Sequence, residues 1–518
     1  MSPPASRWGP EPQRKPRAAD QPWARTIILV VLLVGLVTVS PTHQSLGLVT
    51  VIFVVIAAVR LKPRLRRPPR SSAAQLTAAP DPVGALYAEV ARLGGGAYLG
   101  VGPGGGWRLA GRERAVLVLG PPRSGKSSAI MVPAVLAHQG PVVSASTKPD
   151  VLAATEDVRS RVGGVWLFDP TGQSGSGGGA EGLRWSPVPE SRSWDGALLI
   201  SRAMVQGSGV GAGVNDSTHW AKRASALLAA LLHAAALDGA GMDAVLDWVL
   251  GHELDQPGAV LERSGARLGC RLLVGLANTE GRERSSIFSA AADAVDAYSS
   301  QAALEAASRP NFDASRFVGS CDTIYVRAPA EHQALAAPLV CGLLAEIRRA
   351  TYLHHQHGLL GRRVLWALDE VANIAPLAEL PQIASEGGGQ GLSLLCALQD
   401  LSQARSRWGQ AAEGFLTLFG EKMILPGVAD SATLESVSLA LGEYDRPMVS
   451  TTRTPVKGQF FSQVGRTSSI QRQRVLSPGE VANVPAGRAL HLVGVQWELL
   501  SLTPAYRDQP WRALTGGR

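Results

Sequence analysis

The residues with the clearest chemical meaning are Gly120-Pro121-Pro122-Arg123-Ser124-Gly125-Lys126-Ser127, which fit the pattern GxxxxGK[ST] and run on into Ser128. Such a loop must turn tightly around phosphates, with backbone N–H groups pointing inward and little side-chain bulk. The helix that follows presents its N-terminus to the anion. In this pattern Lys126 reaches the β- and γ-phosphates and Ser127 holds Mg²⁺. The nucleotide-binding set is therefore Gly120, Pro121, Pro122, Arg123, Ser124, Gly125, Lys126, Ser127 and Ser128, with ATP and Mg²⁺ as the implied ligands. The competing reading is a glycine-rich turn with a chance lysine.

A phosphate loop needs an acid at the tip of a neighbouring buried strand. Val364-Leu365-Trp366-Ala367-Leu368-Asp369-Glu370 supplies one. One carboxylate can face the metal and the other the attacking water, so Asp369 is assigned to Mg²⁺ and Glu370 to general base. The strand-like run Ser393–Leu398 ends at Gln399, an amide that can sense the γ-phosphate or its water. The bland alternatives are a solvated acidic loop and a strand that happens to end in a polar residue.

These groups need a sheet to hold them. RAVLVLG, before the loop, is an apolar run of strand length, and residues 126–138 read as a helix. PVVSAS, GVWLFD, DTIYVRA, RRVLWALD, LSLLCALQ, EKMILPG, RALHLVG and WELLSL read as further strands. Short apolar strands alternating with helices predict a parallel sheet flanked by helices. Residues 191–312 break that alternation. They are rich in Ala and Leu with helical spacing, most clearly in HWAKRASALLAALLHAAAL, and predict an all-helical insertion. Residues 61–105 read as a Pro/Gly/Arg-rich linker with one short helix near Pro82–Leu93. The nucleotide-binding domain is expected in two parts, 106–190 and 313–510, with a tail at 511–518.

Charge is concentrated at one end. The first 70 residues hold eleven Lys/Arg and two acids, a net +9, so the other 448 residues carry −1 of the total +8. That distribution excludes a uniformly basic body. Two uncharged apolar runs, 26–39 and 46–59, flank Pro41 and predict a two-helix transmembrane hairpin over 26–60, after a basic tail at 1–25. A cleaved signal peptide and a buried core hairpin are the alternatives. Basic residues on both outer flanks, and none between, put both ends in the cytoplasm. The expectation is a multi-pass inner-membrane protein with a cytoplasmic body and basic segments lying on anionic membrane lipids. The four cysteines contain no CxxC pair, so neither a disulfide framework nor a structural zinc site is expected.

In this order the motifs resemble the type IV secretion coupling proteins, the TraG/TraD-like ATPases of conjugation. The phosphate loop running into IMVPAVLAHQGPVVSASTKPDVLAAT, with Lys148 and Asp150, is similar to that family. So are LRWSPV, DTIYVRAPAEHQALAAPLV, ALDEVANIAPLAELPQIASEGGGQGLSLLCALQDLSQ and LSPGEVANVPAGRALHLVG. The resemblance implies a RecA-like P-loop ATPase domain with an inserted all-α domain, assembled as a membrane-anchored homo-hexamer. It implies ATP-driven movement of DNA, a relaxase-bound strand, or effector proteins into a secretion channel, with the channel components as partners.

Two departures stand out. The family often has an arginine finger where this chain has about Gly388, and Ser146 stands where many relatives have an acid. Arg405 and Arg407 are nearby candidates for the missing arginine, with solvated helix charges as the plainer reading. A duplex-DNA pump of the FtsK/HerA kind and an ATP-binding substrate receptor with little hydrolysis are the competing functions. Trp220, Lys222 and Arg223 lie on the best helix of the insertion and are candidate substrate contacts or structural residues.

Overall fold

The computed structural model describes residues 76–77, 79–171, 178–209, 217–455 and 462–517. The chain divides into two compact units, Met1–Ala74 and Gln75–Arg518, and every described residue belongs to the second. The expected basic tail and membrane hairpin lie outside the described residues. Among the described residues no helix is long and apolar enough to cross a membrane.

The second unit begins with α1 (Pro82–Arg92), capped by Asp81, whose carboxylate accepts the Gly84 N–H, and two short strands, β1 (Tyr98–Val101) and β2 (Trp107–Leu109). β3 (Val116–Leu119) leads through the glycine-rich turn to a helix with π spacing over Lys126–Met131 that continues as α2 (Val132–Ala137). β4 (Val142–Ser146), α3 (Asp150–Arg159), β5 (Val165–Phe168) and β6 (Glu181–Gly182) follow.

The next described elements are all helical. They are α4 (Trp194–Gly207), α5 (Ser217–Asp238), α6 (Met242–Leu250), α7 (Asp255–Arg263), α8 (Arg267–Ala277), α9 (Gly281–Val295), α10 (Gln301–Ser308) and α11 (Ala314–Val318). Alternation resumes with β7 (Thr323–Arg327), α12 (Gln333–Gln356), β8 (Val364–Leu368), α13 (Val371–Ile374), α14 (Leu380–Glu386) and β9 (Leu392–Leu398). Then come α15 (Leu401–Trp408), α16 (Phe415–Leu418), β10 (Glu421–Ile424) and α17 (Ser431–Ala440). The last elements are β11 (Glu443–Pro455), β12 (Ser462–Arg474), α18 (Pro478–Ala482), β13 (Arg488–Val493), β14 (Gln496–Ser501) and α19 (Trp511–Leu514).

One sheet runs in the order β2-β1-β14-β13-β10-β3-β9-β8-β4-β7-β5-β6. From β10 to β6 every pairing is parallel, while β13, β14, β1 and β2 add an antiparallel flank. The sheet is thus mixed rather than purely parallel, and β1 and β2 begin it on either side of the expected linker boundary. The central strands β3, β4, β8, β9 and β10 are buried at every position. That pattern belongs to parallel strands covered on both faces. All six residues of α2 are buried beneath the sheet, which fixes the helix that follows the glycine-rich turn.

In the helical region α5 is the centre, with Leu227 through Ala235 buried on nearly all sides and α4, α7, α8 and α9 packed around it. Arg223 donates to Thr279 Oγ1 at 2.8 Å and lies 3.6 Å from Glu283, so it ties α5 to α9. Lys222 is exposed and Trp220 half-buried. β11 and β12 form a separate two-stranded ribbon of thirteen residues each.

Candidate functional site

Parallel sheets present ligands at the carboxyl ends of their strands. Here β3, β9, β8 and β4 end side by side in Gly120, Gln399, Asp369 and Thr147. The register is fixed by Leu119 opposite Leu398, Leu368 opposite Cys396, and Leu368 opposite Ala145. The Gly120 N–H donates to Leu398 O at 3.1 Å and the Asp369 N–H to Ala145 O at 2.9 Å. The phosphate-loop strand and the acid-bearing strand are therefore separated by one strand, β9.

The loop reverses through left-handed residues at Arg123 (φ 64°) and Gly125 (φ 96°). Such reversals turn successive N–H groups into a concavity that suits an anion. Gly125 is the residue type that reaches φ 96° without a Cβ penalty. Lys126 is buried, and its Nζ donates to Gly120 O at 2.6 Å and Pro121 O at 3.0 Å. Burial pushes its ammonium down from the ordinary lysine range, opposed by Asp369 and Glu370.

Ser127 Oγ donates a short hydrogen bond to Asp369 Oδ2, across 242 positions of sequence. Asp369 is buried, and burial raises its carboxyl above the usual range against the Ser127 bond and Lys126. Its other oxygen, Oδ1, is buried with no hydrogen-bond partner. A buried carboxylate oxygen without a partner is costly, and its natural complement is a cation. A hard divalent ion bound by one hydroxyl, one carboxylate and nucleotide oxygens fits this donor set. Glu370 follows at φ 55°, ψ 47°, a left-handed conformation that costs a non-glycine residue about 1 kcal/mol or more. That strain swings its backbone sharply out of β8 and sets its side chain in the lining of the cleft.

The cleft has a volume of about 450 Å³ and is lined on one side by Pro122, Arg123, Gly125, Lys126, Ser127 and Ser128. Asp369 and Glu370 line it from β8, and Ser146, Thr147, Lys148 and Asp150 from the end of β4. Gly120, Pro121, Ser124 and Gln399 are not in the lining. Gly120 and Pro121 lie behind the loop as acceptors for Lys126, and Ser124 Oγ is buried without a partner. Gln399 sits at the same sheet edge, where its backbone N–H donates to Gln403 Oε1 at 3.0 Å.

Sequence reasoning missed Ala505 and Tyr506. The Ala505 N–H donates to Ser128 O at 2.8 Å, bringing the 39% exposed Tyr506 ring to the cleft from beyond β14. No local pattern marks that tyrosine; the pairing of β14 with β13 and β1 carries the chain back there.

The family model for type IV secretory system conjugative DNA transfer matches residues 87–494. The chain belongs to that family. No curated protein matches it. Solved structures share its fold. The bacterial conjugative coupling protein TrwBΔN70, unbound, is 18% identical with a TM-score of 0.57, over 76% of this chain and 84% of that one. TrwB in complex with ADP and Mg²⁺ is 18% identical with a TM-score of 0.55, over 78% of this chain and 88% of that one. TrwB with a non-hydrolysable ATP analogue gives 19% and 0.54, over 76% and 85%. These likenesses establish an α/β P-loop fold.

The arginine question has a structural answer. A Cβ at Gly388 would lie 1.9 Å from Glu113 O and 2.6 Å from its carbonyl carbon. Arg363 donates to the Gly388 carbonyl and, at 3.0 Å, to Leu392 O, closing the turn from the other side. Gly388 is glycine because backbone occupies the side-chain position. Neither nearby arginine is the solvated charge of the plainer reading. Arg405 pairs with Asp430 at 2.9 Å. Arg407 is half-buried and donates to Gly207 O at 3.2 Å, its guanidinium pushed down by burial.

Proposed function

We propose that this protein is the membrane-anchored ATPase of a conjugative type IV secretion system, coupling ATP hydrolysis to recruitment and passage of DNA or protein cargo. The observation that carries the reading is the Ser127–Asp369 hydrogen bond beside an unpartnered Asp369 oxygen, within one cleft shared with Lys126 and Glu370. Mg²⁺ supplies charge neutralisation at the β- and γ-phosphates. Ser127 and Asp369 would hold it, while Lys126 exchanges its two loop carbonyls for phosphate oxygens. Glu370 would orient and deprotonate the attacking water, and the Tyr506 ring offers a face for the base. TrwB, the fold relative, has been solved with ADP and Mg²⁺ and with nucleotide analogues, which supports the ATP and Mg²⁺ reading.

The finer parts of the reading rest on the sequence and the family. They are a RecA-like ATPase domain carrying the helical region as an inserted domain, an N-terminal transmembrane hairpin, an inner-membrane location with the body in the cytoplasm, a homo-hexameric ring, and contacts with lipids, relaxase or effector and channel. One observation favours a second reading, a nucleotide-binding receptor that turns over slowly alone: the position of the family's arginine finger is closed by Glu113. A trans-acting arginine contributes 10³–10⁵ to phosphoryl transfer. The test is mating frequency from donors carrying Lys126→Ala or Glu370→Gln. Loss of transfer supports the motor, and undiminished transfer removes it.

A further inference from the structure

Averaged over residues 71–518, the body is nearly neutral, but one segment is not. From Arg446 to Arg474 there are five arginines and one lysine and no acid, a net +6 that leaves the other residues of 71–518 at −7. All five arginines lie in β11 and β12, whose only acids, Glu443 and Asp445, stand at the base, and Lys457 lies outside the described residues. The ribbon's register runs unbroken from Glu443 opposite Arg474 to Pro455 opposite Ser462. At about 3.4 Å per residue each strand extends roughly 40 Å. Residues 443–452 and 465–473 are all exposed, so both faces meet solvent.

The base is anchored and neutralised. Arg474 pairs with Glu435 of α17 at 2.6 Å, and Arg472 lies 3.7 Å from Asp445 and 3.9 Å from Glu443. Further out, among the described residues, neither Arg446 nor Arg466 has an acidic partner. Arg446 donates only to Gln473 Oε1, at 3.2 Å, and Arg466 forms no ion pair among the described residues. Around them stand Ser450, Thr451, Thr452, Thr467, Ser468, Ser469 and Gln471. An isolated two-stranded ribbon is at best marginally stable in water, and the described side chains of this one are exposed on both faces outside its base.

We infer that the β11–β12 ribbon is an arm that binds the phosphate backbone of nucleic acid. The inference rests on the proposed role in DNA transfer and names the element that holds the cargo. Arginine and hydroxyl or amide side chains on an acid-free surface are the groups that contact phosphate and sugar. A two-stranded ribbon also has the width of the B-DNA major groove. A second copy of this chain would be met through a broad apolar face, yet the exposed apolar side chains on this face make only one small cluster, Ile470 opposite Pro447 and diagonal to Val449, among serine, threonine and arginine.

The test uses the full-length protein in detergent, wild type against Arg446→Gln/Arg466→Gln. Binding of a labelled 30-base-pair duplex and of the corresponding single strand is titrated from 50 to 200 mM salt. Two lost phosphate contacts should flatten the slope of log affinity against log salt by about 1.8 for duplex or 1.4 for single strand. Over that salt range the duplex difference is about tenfold in the wild-type-to-variant ratio. Arg446→Lys/Arg466→Lys should restore the slope, and DNA-free ATP turnover should stay at the wild-type rate. Unchanged slopes would overturn the inference. So would loss of binding to anionic phosphatidylglycerol vesicles instead of DNA, or a fall in oligomer size by sedimentation. Mating with Lys126→Ala reads the motor separately: its loss beside unchanged slopes removes the arm and leaves the motor.

Discussion

Replacing Gly388 with alanine places a methyl carbon 1.9 Å from Glu113 O. Carbon and carbonyl oxygen ordinarily meet no closer than about 3.3 Å, so the 387–390 turn or the Glu113 backbone must move by roughly 1.4 Å. The neighbour is main chain, which cannot rotate away as a side chain tip can. Overpacking of this kind costs about 1–3 kcal/mol, and the upper end applies when backbone must shift. For a unit of about 440 residues the unfolding entropy is near 0.9 kcal/mol/K, so the expected fall in Tm is about 3 °C. Gly389→Ala is the matched control, because no atom lies within 4 Å of its Cβ. The assay is thermal melting of the two full-length variants side by side, with ATP turnover measured on the same samples. Gly388→Arg should melt lower still and gain no turnover. Equal melting of Gly388→Ala and Gly389→Ala would refute the packing argument. A gain on the order of 10³ in turnover from Gly388→Arg would show that the position does reach a neighbouring site.

Two further outcomes follow from buried groups. Arg159 is fully buried and donates to Thr323 Oγ1 (2.7 Å), Gly140 O (2.9 Å), Cys321 O (2.9 Å), His138 O and the Tyr87 hydroxyl. Arg159→Met leaves these acceptors without their donor and should cost about 3–5 kcal/mol, read as a fall of several degrees in Tm. Glu346 is pushed up to about 7 by burial, against the 2.7 Å bond from Trp185 Nε1. Its folded pKa lies above the unfolded value. The stability it contributes is therefore full below about pH 4.5 and lost as pH rises to about 7, by roughly 3 kcal/mol. Glu346→Gln should flatten the Tm profile between pH 4.5 and 7 and melt higher than wild type at pH 8; an unaltered profile would show that the carboxyl is ionised in the fold.

The strands that hold the site were legible because they are buried on both faces. VLVL, VVSAS, VLWAL and LSLLCAL leave no solvent-facing position for a polar residue. The phosphate loop and Asp369-Glu370 could be read singly, but their meeting could not. It depends on β9 lying between β3 and β8, a pairing that no local spacing encodes. β1 and β2 escaped notice because strands of four and three residues carry no period. β11 and β12 escaped because a ribbon wet on both faces has no alternation to detect, and averaging charge over 448 residues hid its arginines. Gln399 stands at the carboxyl end of β9, level with Gly120, but is not among the residues lining the cleft.

On the proposed function one divalent cation would join the two halves of the site through Ser127 and Asp369. The direct measurement is ATP affinity of the full-length protein with and without Mg²⁺, in wild type and Asp369→Asn, a change that keeps an acceptor for Ser127. Mg²⁺ should tighten ATP binding to the wild type, and the variant should lose about 10- to 100-fold of that tightening while binding Mg²⁺-free ATP as before. An equal Mg²⁺ effect in both proteins would contradict the account.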